Sequence, residues 1–308
     1  MILITEFMND KVVDSLRLKY EVIYDKSLAD NQEKIPDMMK DIKAIIVRNR
    51  TQVNKNLLNR SPNLLCVGRL GVGLDNIDLE TCKVRSLKVY PATGANSNGV
   101  VEYVLTSALI LLRGAFNKTE EMVSGKWPRE QSSGNEITGK VLGLVGFGEI
   151  AQKTADLAKN FNMQIMAFDP FLDKNSSAWN NVKNVNLEEL LRSSDVISVH
   201  TPLNKSTHHL INSTNLNFMK KTAVIINAAR GGVIDDKALS EKLRKNEIKG
   251  AALDVYETEP MDINSGSYFH NLKNVILTPH IAGVTEESNV NVSAMIANKI
   301  DKHLSGLI

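Results

Sequence analysis

The sequence predicts an α/β chain built from two doubly wound parallel sheets, and three observations carry that expectation. Short apolar runs alternate with polar, helix-compatible segments along most of the 308 residues, the rhythm of strand–helix–strand crossovers. That rhythm occurs twice, before and after a long helical stretch. The second round opens on a glycine turn set between a strand and a helix, in KVLGLVGFGEIAQKTADLAKNFNMQIMAFDP over 140–170.

In the first round, strands are expected at Ile2–Thr5, Glu21–Tyr24, Ala44–Val47, Leu65–Val67 and Lys88–Tyr90. Helices fit Asp10–Lys19, Glu33–Lys40, Asn54–Asn59 and Leu79–Val84. Asn49-Arg50-Thr51 and Gly71-Val72-Gly73 follow strand ends, and open α/β sheets bind ligands at that carboxyl edge. Periodic Val101, Val104, Leu105, Ala108, Leu109 and Leu112 predict a helix from about Asn98 to Asn117, long enough to pass from one domain to the next. Gly125-Lys126-Trp127-Pro128 breaks the pattern, and Gln131–Ile137 reads as a surface loop. Later strands are expected at Asp195–Val199, Ala223–Asn227, Ala251–Val255 and Val275–Leu277, with a helix at Asp236–Asn246. The last helix, Ser288–Leu304, is too short to be a domain and is expected to return to the first. The domains are then 1–94 plus 284–308, and 95–283.

Composition narrows the function classes. A net charge of +2 and the absence of any Lys/Arg cluster with interleaved aromatics exclude a nucleic-acid surface. No apolar run approaches the roughly 20 residues that span a bilayer. The start, Met-Ile-Leu-Ile-Thr-Glu-Phe, has no basic stretch before its apolar run and reads as a first strand, not a signal peptide. Cys66 and Cys82 have no partner at ligand spacing, which fits a reducing cytoplasm. His208 and His209 are adjacent and are expected on different faces as surface or cap residues, so no metal site is assigned.

The glycine turn is the first chemical signal. Val141–Val145 reads as a buried strand, Gly146-Phe147-Gly148-Glu149-Ile150-Ala151 as a G-x-G-x-x-A turn, and Gln164–Phe168 as a second strand ending at Asp169. Gly146 permits the tight turn, and Gly148 lets backbone N–H groups approach a pyrophosphate at the positive end of the helix. The Ala151 methyl is still small enough for close helix–strand packing. Asp169, 21 residues beyond Gly148, can accept hydrogen bonds from a ribose diol and repel a 2′-phosphate, which favours NAD over NADP. The bland alternative is a glycine turn that binds nothing, and the register of strand, helix and acid argues against it.

Three further segments place unusual polar groups at strand ends: Asn227-Ala228-Ala229-Arg230-Gly231-Gly232, Asp254-Val255-Tyr256-Glu257-Thr258-Glu259-Pro260 and Thr278-Pro279-His280-Ile281-Ala282-Gly283. A guanidinium such as Arg230 grips a carboxylate with two parallel hydrogen bonds. His280 is a proton carrier suited to neutral pH, and Glu259 is placed to be its carboxylate partner. Singly, Arg230 reads equally well as a helix-capping cation, Glu259 as a solvated loop acid and His280 as a core histidine. Together, each just past a strand of the sheet that carries the glycine turn, they favour an active site.

On these motifs, with Gly71-Val72-Gly73-Leu74-Asp75-Asn76-Ile77-Asp78, the chain resembles the NAD-dependent D-2-hydroxyacid dehydrogenase family over essentially its full length. Val47-Arg48-Asn49-Arg50-Thr51, Gly68-Arg69-Leu70-Gly71 and Gly125-Lys126-Trp127-Pro128-Arg129 are similar to the phosphoglycerate dehydrogenase branch. Glu6-Phe7-Met8, Asn49-Arg50-Thr51, the same Gly125-Lys126-Trp127-Pro128-Arg129 and His280-Ile281-Ala282-Gly283-Val284-Thr285 resemble bacterial 3-sulfolactate dehydrogenases more closely still. The resemblance implies a Rossmann-type NAD domain inserted in a flavodoxin-like substrate domain, and a homodimer through the cofactor domain. It implies Arg230, Glu259 and His280 as the catalytic set. NAD contacts are implied at Gly146, Phe147, Gly148, Glu149, Ile150 and Asp169, at Thr201, Pro202 and Thr207, at Ala228 and Ala229, and at Ala282 and Gly283. Asp254 falls where the family holds the nicotinamide amide. Gly71, Val72, Gly73 and Asn96 fall around the substrate carboxylate, and Arg48, Arg69 and Arg129 where a second anionic group would sit.

The expected reaction is hydride transfer between the nicotinamide and C2 of a small anionic 2-hydroxy acid, 3-sulfolactate ahead of 3-phosphoglycerate. A glyoxylate or hydroxypyruvate reductase, a phosphite or formate dehydrogenase, and a non-catalytic NAD(H)-sensing co-regulator share the fold and stand as alternatives.

Overall fold

A computed structural model of the chain describes residues 1–114 and 118–307. The backbone divides into two compact units, Met1–Asn96 with Val284–Ile308, and Ser97–Gly283. The first unit begins β1 (Ile2–Ile4), α1 (Asp10–Arg17), β2 (Val22–Tyr24), α2 (Ile35–Met38), β3 (Ala44–Val47), α3 (Lys55–Asn59), β4 (Cys66–Arg69), α4 (Leu79–Val84), β5 (Lys88–Pro91). The second opens with α5 (Ser97–Arg113) and α6 (Thr119–Val123), then β6 (Val141–Val145), α7 (Glu149–Lys159), β7 (Gln164–Phe168) and β8 (Lys183–Asn184). It continues through α8 (Leu187–Ser193), β9 (Val196–Val199), α9 (Ser213–Leu216), β10 (Val224–Asn227), α10 (Asp236–Arg244), β11 (Gly250–Leu253), α11 (Ile263–Gly266) and β12 (Val275–Leu277). The closing helix α12 (Glu286–Leu304) belongs to the first unit.

Both sheets are wholly parallel. The first has strand order β2-β1-β3-β4-β5 and the second β12-β11-β10-β9-β6-β7-β8. Parallel strands covered on both faces need continuous apolar runs, and β1, β3, β9 and β10 are buried at every position. In the first unit, Val13 and Leu16 of α1 and Val292, Ile296 and Ile300 of α12 cover one face. Ile35, Leu57, Leu58 and Cys82 cover the other. In the second unit, Val101, Val104, Leu105 and Ala108 of α5 join Ala151, Ala155 and Ala158 of α7 on one face. Leu190, Leu191, Leu239 and Leu243 fill the opposite one. The small residues of α7 let it lie close on β6, which brings the glycine turn into register with the strand ends.

Helix starts follow side-chain chemistry. Asn54, Asp78, Asn186 and Asp235 each accept a backbone N–H of the first turn, and Thr285 with Ser288 forms a reciprocal capping box on α12. Each such cap is worth about 1 kcal/mol.

Some expectations fail for local reasons. The stretch 33–40 breaks into a short α2 flanked by 3-10 turns, because Pro36 is tolerated only in a first helical turn. The helix expected to reach Asn117 ends at Arg113, followed by Gly114 with φ +62°; residues 115–117 lie outside the described residues. Ile137, expected on a surface loop, is buried with Leu112 and Leu142. His208 and His209 do not point apart: their rings stack at 4.0 Å, because His209 takes a left-handed φ of +49°.

Candidate active site

The second sheet reverses its order between β6 and β9, and ligands of doubly wound sheets sit at the carboxyl end of that switch point. Five strand ends share this edge: Gly146 after β6, His200 and Thr201 after β9, Arg230 after β10, Asp254 and Glu259 after β11, and His280 after β12.

The turn after β6 fits a dinucleotide. Gly146 has φ +91°, and a Cβ there would lie 2.7 Å from the His200 carbonyl oxygen. Gly148 is the N-cap of α7 and gives no side-chain cap; a Cβ on it would meet nothing within 4 Å. No side chain of the N-cap residue takes up the first-turn N–H groups of α7, and a helix N-terminus of that kind suits an anion. Glu149 is spent on Lys153 at 2.8 Å. Asp169 accepts the Phe147 N–H at 2.9 Å through Oδ2, and the N–H groups of Phe171 and Leu172 through Oδ1. The carboxylate is therefore aimed by three backbone donors beside the glycine turn. A carboxylate has about four acceptor sites, so a hydroxyl can still join.

Farther along this edge, Thr207 is buried and donates to the Pro202 carbonyl at 2.6 Å, shaping the turn that starts at Thr201. Asn227 ties the Ala228-Ala229 turn: its amide oxygen accepts the Ala229 N–H at 3.1 Å and its amide nitrogen donates to the Arg230 carbonyl at 3.0 Å. Arg230 donates to the Ala229 carbonyl at 2.6 Å.

His280 and Glu259 meet as expected: Nδ1 lies 2.7 Å from Oε2. The other carboxylate oxygen of Glu259 accepts the Tyr256 N–H at 3.0 Å. Burial pushes the Glu259 carboxyl upward, but the hydrogen bond and charge of His280, the Tyr256 N–H and the charge of Arg230 outweigh it. Its pKa is lowered overall. Arg230 thus acts electrostatically in the same cluster as the pair.

Asp254 is 1% exposed. Its carboxylate accepts from the Thr278 hydroxyl at 2.6 Å, the Ile281 N–H at 2.8 Å and the Ala282 N–H at 2.7 Å. It secures the turn 278–282. Tyr103 Oη of α5 lies 2.7 Å from the Thr278 oxygen; a threonine and a helical tyrosine are too common in a sequence to signal that contact.

In the first unit, buried Glu6 accepts the N–H groups of Arg48, Arg50 and Thr51 at 2.8, 3.2 and 2.9 Å. The loop after β3 is so fixed that Arg48 reaches Asn289 of α12 at 2.5 Å, with its guanidinium 5.7 Å from the Phe7 ring centroid. Arg50 pairs instead with Asp30. Arg69 lies across the next loop: it donates to the Leu70 carbonyl at 2.9 Å, and a Cβ on Gly71 would sit 2.0 Å from its Nη1. Val72 and Gly73 continue that loop, with Val72 38% exposed. Asn96 buries its amide oxygen without a hydrogen-bond partner among the described residues. Arg129, in the second unit, is exposed. Glu6, Phe7 and Asn289 hold Arg48, yet no sequence spacing marks them as its neighbours. Among the described residues no group of three or more His, Cys, Asp or Glu could hold a metal ion, and no helix is long and apolar enough to cross a membrane.

A glycine turn at the sheet's switch point, with a cation and a His–carboxylate pair on the same edge, defines a nicotinamide-dependent oxidoreductase acting on an anionic substrate. Residues 105–282 match the model of the D-isomer specific 2-hydroxyacid dehydrogenase NAD-binding domain. The chain is 43% identical over 304 residues to (S)-sulfolactate dehydrogenase of Chromohalobacter salexigens, covering 98% of each. It is 35% identical to D-3-phosphoglycerate dehydrogenase of Archaeoglobus fulgidus, covering 99% of this chain but only 58% of that protein's length. The crystal structure of D-lactate dehydrogenase from Aquifex aeolicus, complexed with NAD and lactic acid, superposes with a TM-score of 0.87 at 25% identity, covering 99% of this chain and 96% of that one. The chain belongs to the D-2-hydroxyacid dehydrogenase family: it is an NAD-dependent oxidoreductase acting on 2-hydroxy acids.

Proposed function

We propose that the substrate is a three-carbon 2-hydroxy acid with a second anionic group on C3, a sulfonate ahead of a phosphate. The observation that carries this is the seat of Arg48, a guanidinium held by Asn289 and Phe7 on a loop clamped by Glu6. Building and burying such a seat costs side-chain entropy and desolvation, which an anionic ligand repays. The 43% identity to (S)-sulfolactate dehydrogenase, over an alignment that covers 98% of both chains, supports the sulfonate. Arg48 and Arg69 would take the second anion, with Arg129 as a third cation; Gly71, Val72, Gly73 and Asn96 would line the carboxylate end.

In this reading Arg230 holds the C1 carboxylate and polarises the C2 oxygen. His280 moves the proton on that oxygen through Nε2, while Glu259 orients the ring through Nδ1 and balances its charge. Bound NAD supplies the hydride acceptor, or the donor in reduction. The first turn of α7 would hold its pyrophosphate, Asp169 its ribose, and the turns at Thr201–Pro202, Ala228–Ala229 and Ala282–Gly283 would border its nicotinamide half. Exposed Met122, Val123 and Trp127, all in the segment after α5, support a homodimer that covers them. Two free, buried thiols fit a cytoplasmic enzyme, and its partners would be this substrate and a second copy, with neither nucleic acid nor membrane.

The test is kcat/KM with NADH for sulfopyruvate, phosphohydroxypyruvate, hydroxypyruvate and glyoxylate. Sulfopyruvate should lead. If glyoxylate or hydroxypyruvate equals the two dianions, the arginines do not form a second anion site and the reductase alternative stands.

A further inference from the structure

We propose that Tyr103, on α5, is a positioning residue for His280, acting through a directed chain of hydroxyls from Tyr103 to Thr278 to Asp254. The direction follows from chemistry. Thr278 Oγ1 lies 2.6 Å from Asp254 Oδ1, and a carboxylate only accepts, so the single Thr278 proton is committed there. Tyr103 Oη lies 2.7 Å from the same Thr278 oxygen, so Tyr103 is the donor. Tyr103 is partly buried against the core of the second unit. A phenylalanine would serve packing as well, whereas the buried phenol serves the chain.

The chain ends on the backbone that carries His280. Besides Thr278, Asp254 accepts the N–H groups of Ile281 and Ala282, the two residues after the histidine. The His280 N–H itself donates to the Asp254 carbonyl at 2.9 Å and the Thr278 carbonyl at 3.0 Å. Tyr256 Oη, 2.8 Å from that Thr278 carbonyl, adds a second phenol to the scaffold. His280 has φ +58°, a left-handed conformation that costs a non-glycine residue about 1 kcal/mol or more and persists only where its surroundings over-determine it. Residues 278–282 meet that condition because main chain and side chain of one aspartate grip both flanks of the histidine. Consecutive hydrogen bonds also polarise one another, so the donor from α5 strengthens the Thr278–Asp254 link.

This inference rests on the reading of His280 as the proton carrier, and the experiment separates the two. Tyr103→Phe, Thr278→Val and Thr278→Ser are made in the wild-type chain, and Tyr103→Phe also in His280→Ala. The readouts are kcat with whichever of the four 2-oxo acids above is reduced fastest, and NADH affinity by direct fluorescence titration. Tyr103→Phe and Thr278→Val should each lower kcat about two- to tenfold, the reach of one neutral hydrogen bond. NADH affinity should stay within about twofold, and Thr278→Ser, which keeps the hydroxyl, should retain most of kcat. In the His280→Ala background Tyr103→Phe should cost nothing more, because it acts through the missing ring. Wild-type kcat in Tyr103→Phe, or an equal loss in both backgrounds, overturns the proposal. If Tyr103→Phe does not fold, the contrast between Thr278→Val and Thr278→Ser decides, equal losses in the two refuting the chain. A wild-type rate in His280→Ala alone instead overturns the proton-carrier reading.

Discussion

Nδ1 of His280 lies 2.7 Å from Oε2 of Glu259, and the remaining Glu259 oxygen is held by the Tyr256 N–H at 3.0 Å. Both carboxylate oxygens are thereby committed, and the ring is left with Nε2 for a substrate oxygen. His280→Ala should reduce kcat by about 10²–10⁴, with NADH binding nearly unchanged because no cofactor contact is removed. Glu259→Gln keeps the shape but not the charge, so reduction in that variant should fade at lower pH than in wild type. Single-turnover rates with NADH titrations check both, and a wild-type rate in His280→Ala would exclude it from proton transfer.

Three backbone N–H groups aim the Asp169 carboxylate beside the glycine turn. A 2′-phosphate brought against that fixed charge is repelled. kcat/KM should favour NADH over NADPH by well over tenfold, about 1.4 kcal/mol or more. Equal values for the two cofactors would rule out this role for Asp169.

The Arg69 guanidinium occupies the space where a Gly71 Cβ would be. Arg69→Ala removes that guanidinium and leaves the Gly71 backbone as it is. The variant should raise KM for the best dianionic oxo acid far more than for glyoxylate. A uniform rise across the substrate panel would mean that Arg69 does not read the second anion.

Asp236 shares reciprocal backbone hydrogen bonds with Glu257, which also meets His209 at 2.9 Å. Burial, then the nearby charges of Glu257 and Asp235, outweigh the Glu257 N–H and push its carboxyl up from 3.8 to about 6. A raised carboxyl contributes stability that is complete below its unfolded value and is lost as pH rises through the folded one. Asp236→Asn should hence be more stable than wild type at pH 7.5, on the order of 1–3 kcal/mol, and this gain should shrink towards pH 4. Urea unfolding of both proteins at the two pH values measures it; a gain independent of pH refutes the linkage.

Val123 and Trp127 are 82% and 75% exposed on one short segment, and a second copy docked there would cover them. Light scattering at micromolar concentration should give twice the 34.1 kDa of one chain. Trp127→Ala together with Val123→Ser should shift the equilibrium towards the monomer. A wild-type mass of one chain would remove the homodimer from the proposal.

The sequence by itself determined what depends on neighbours a few residues apart. The strands Ala44–Val47, Val141–Val145, Gln164–Phe168 and Val275–Leu277 have the bounds their apolar runs predict; in the first two this follows from burial, which demands an apolar residue at nearly every position of a parallel strand. The glycine turn was legible because strand, glycines, helix and acid keep a fixed spacing. Tertiary structure alone decided the long-range partners. Tyr103 and Thr278 are 175 residues apart, and Arg48 and Asn289 are 241 apart. Such contacts follow from which strands are adjacent, β11 beside β12 and β3 beside β4, and from which helix returns to cover them. A hydrophobic pattern fixes the face a residue takes in its own element and is silent on the element opposite. The His280–Glu259 pair lay between these limits: each residue was visible beside its proline, and the meeting of Nδ1 with Oε2 came only from the turns after β11 and β12 folding towards each other.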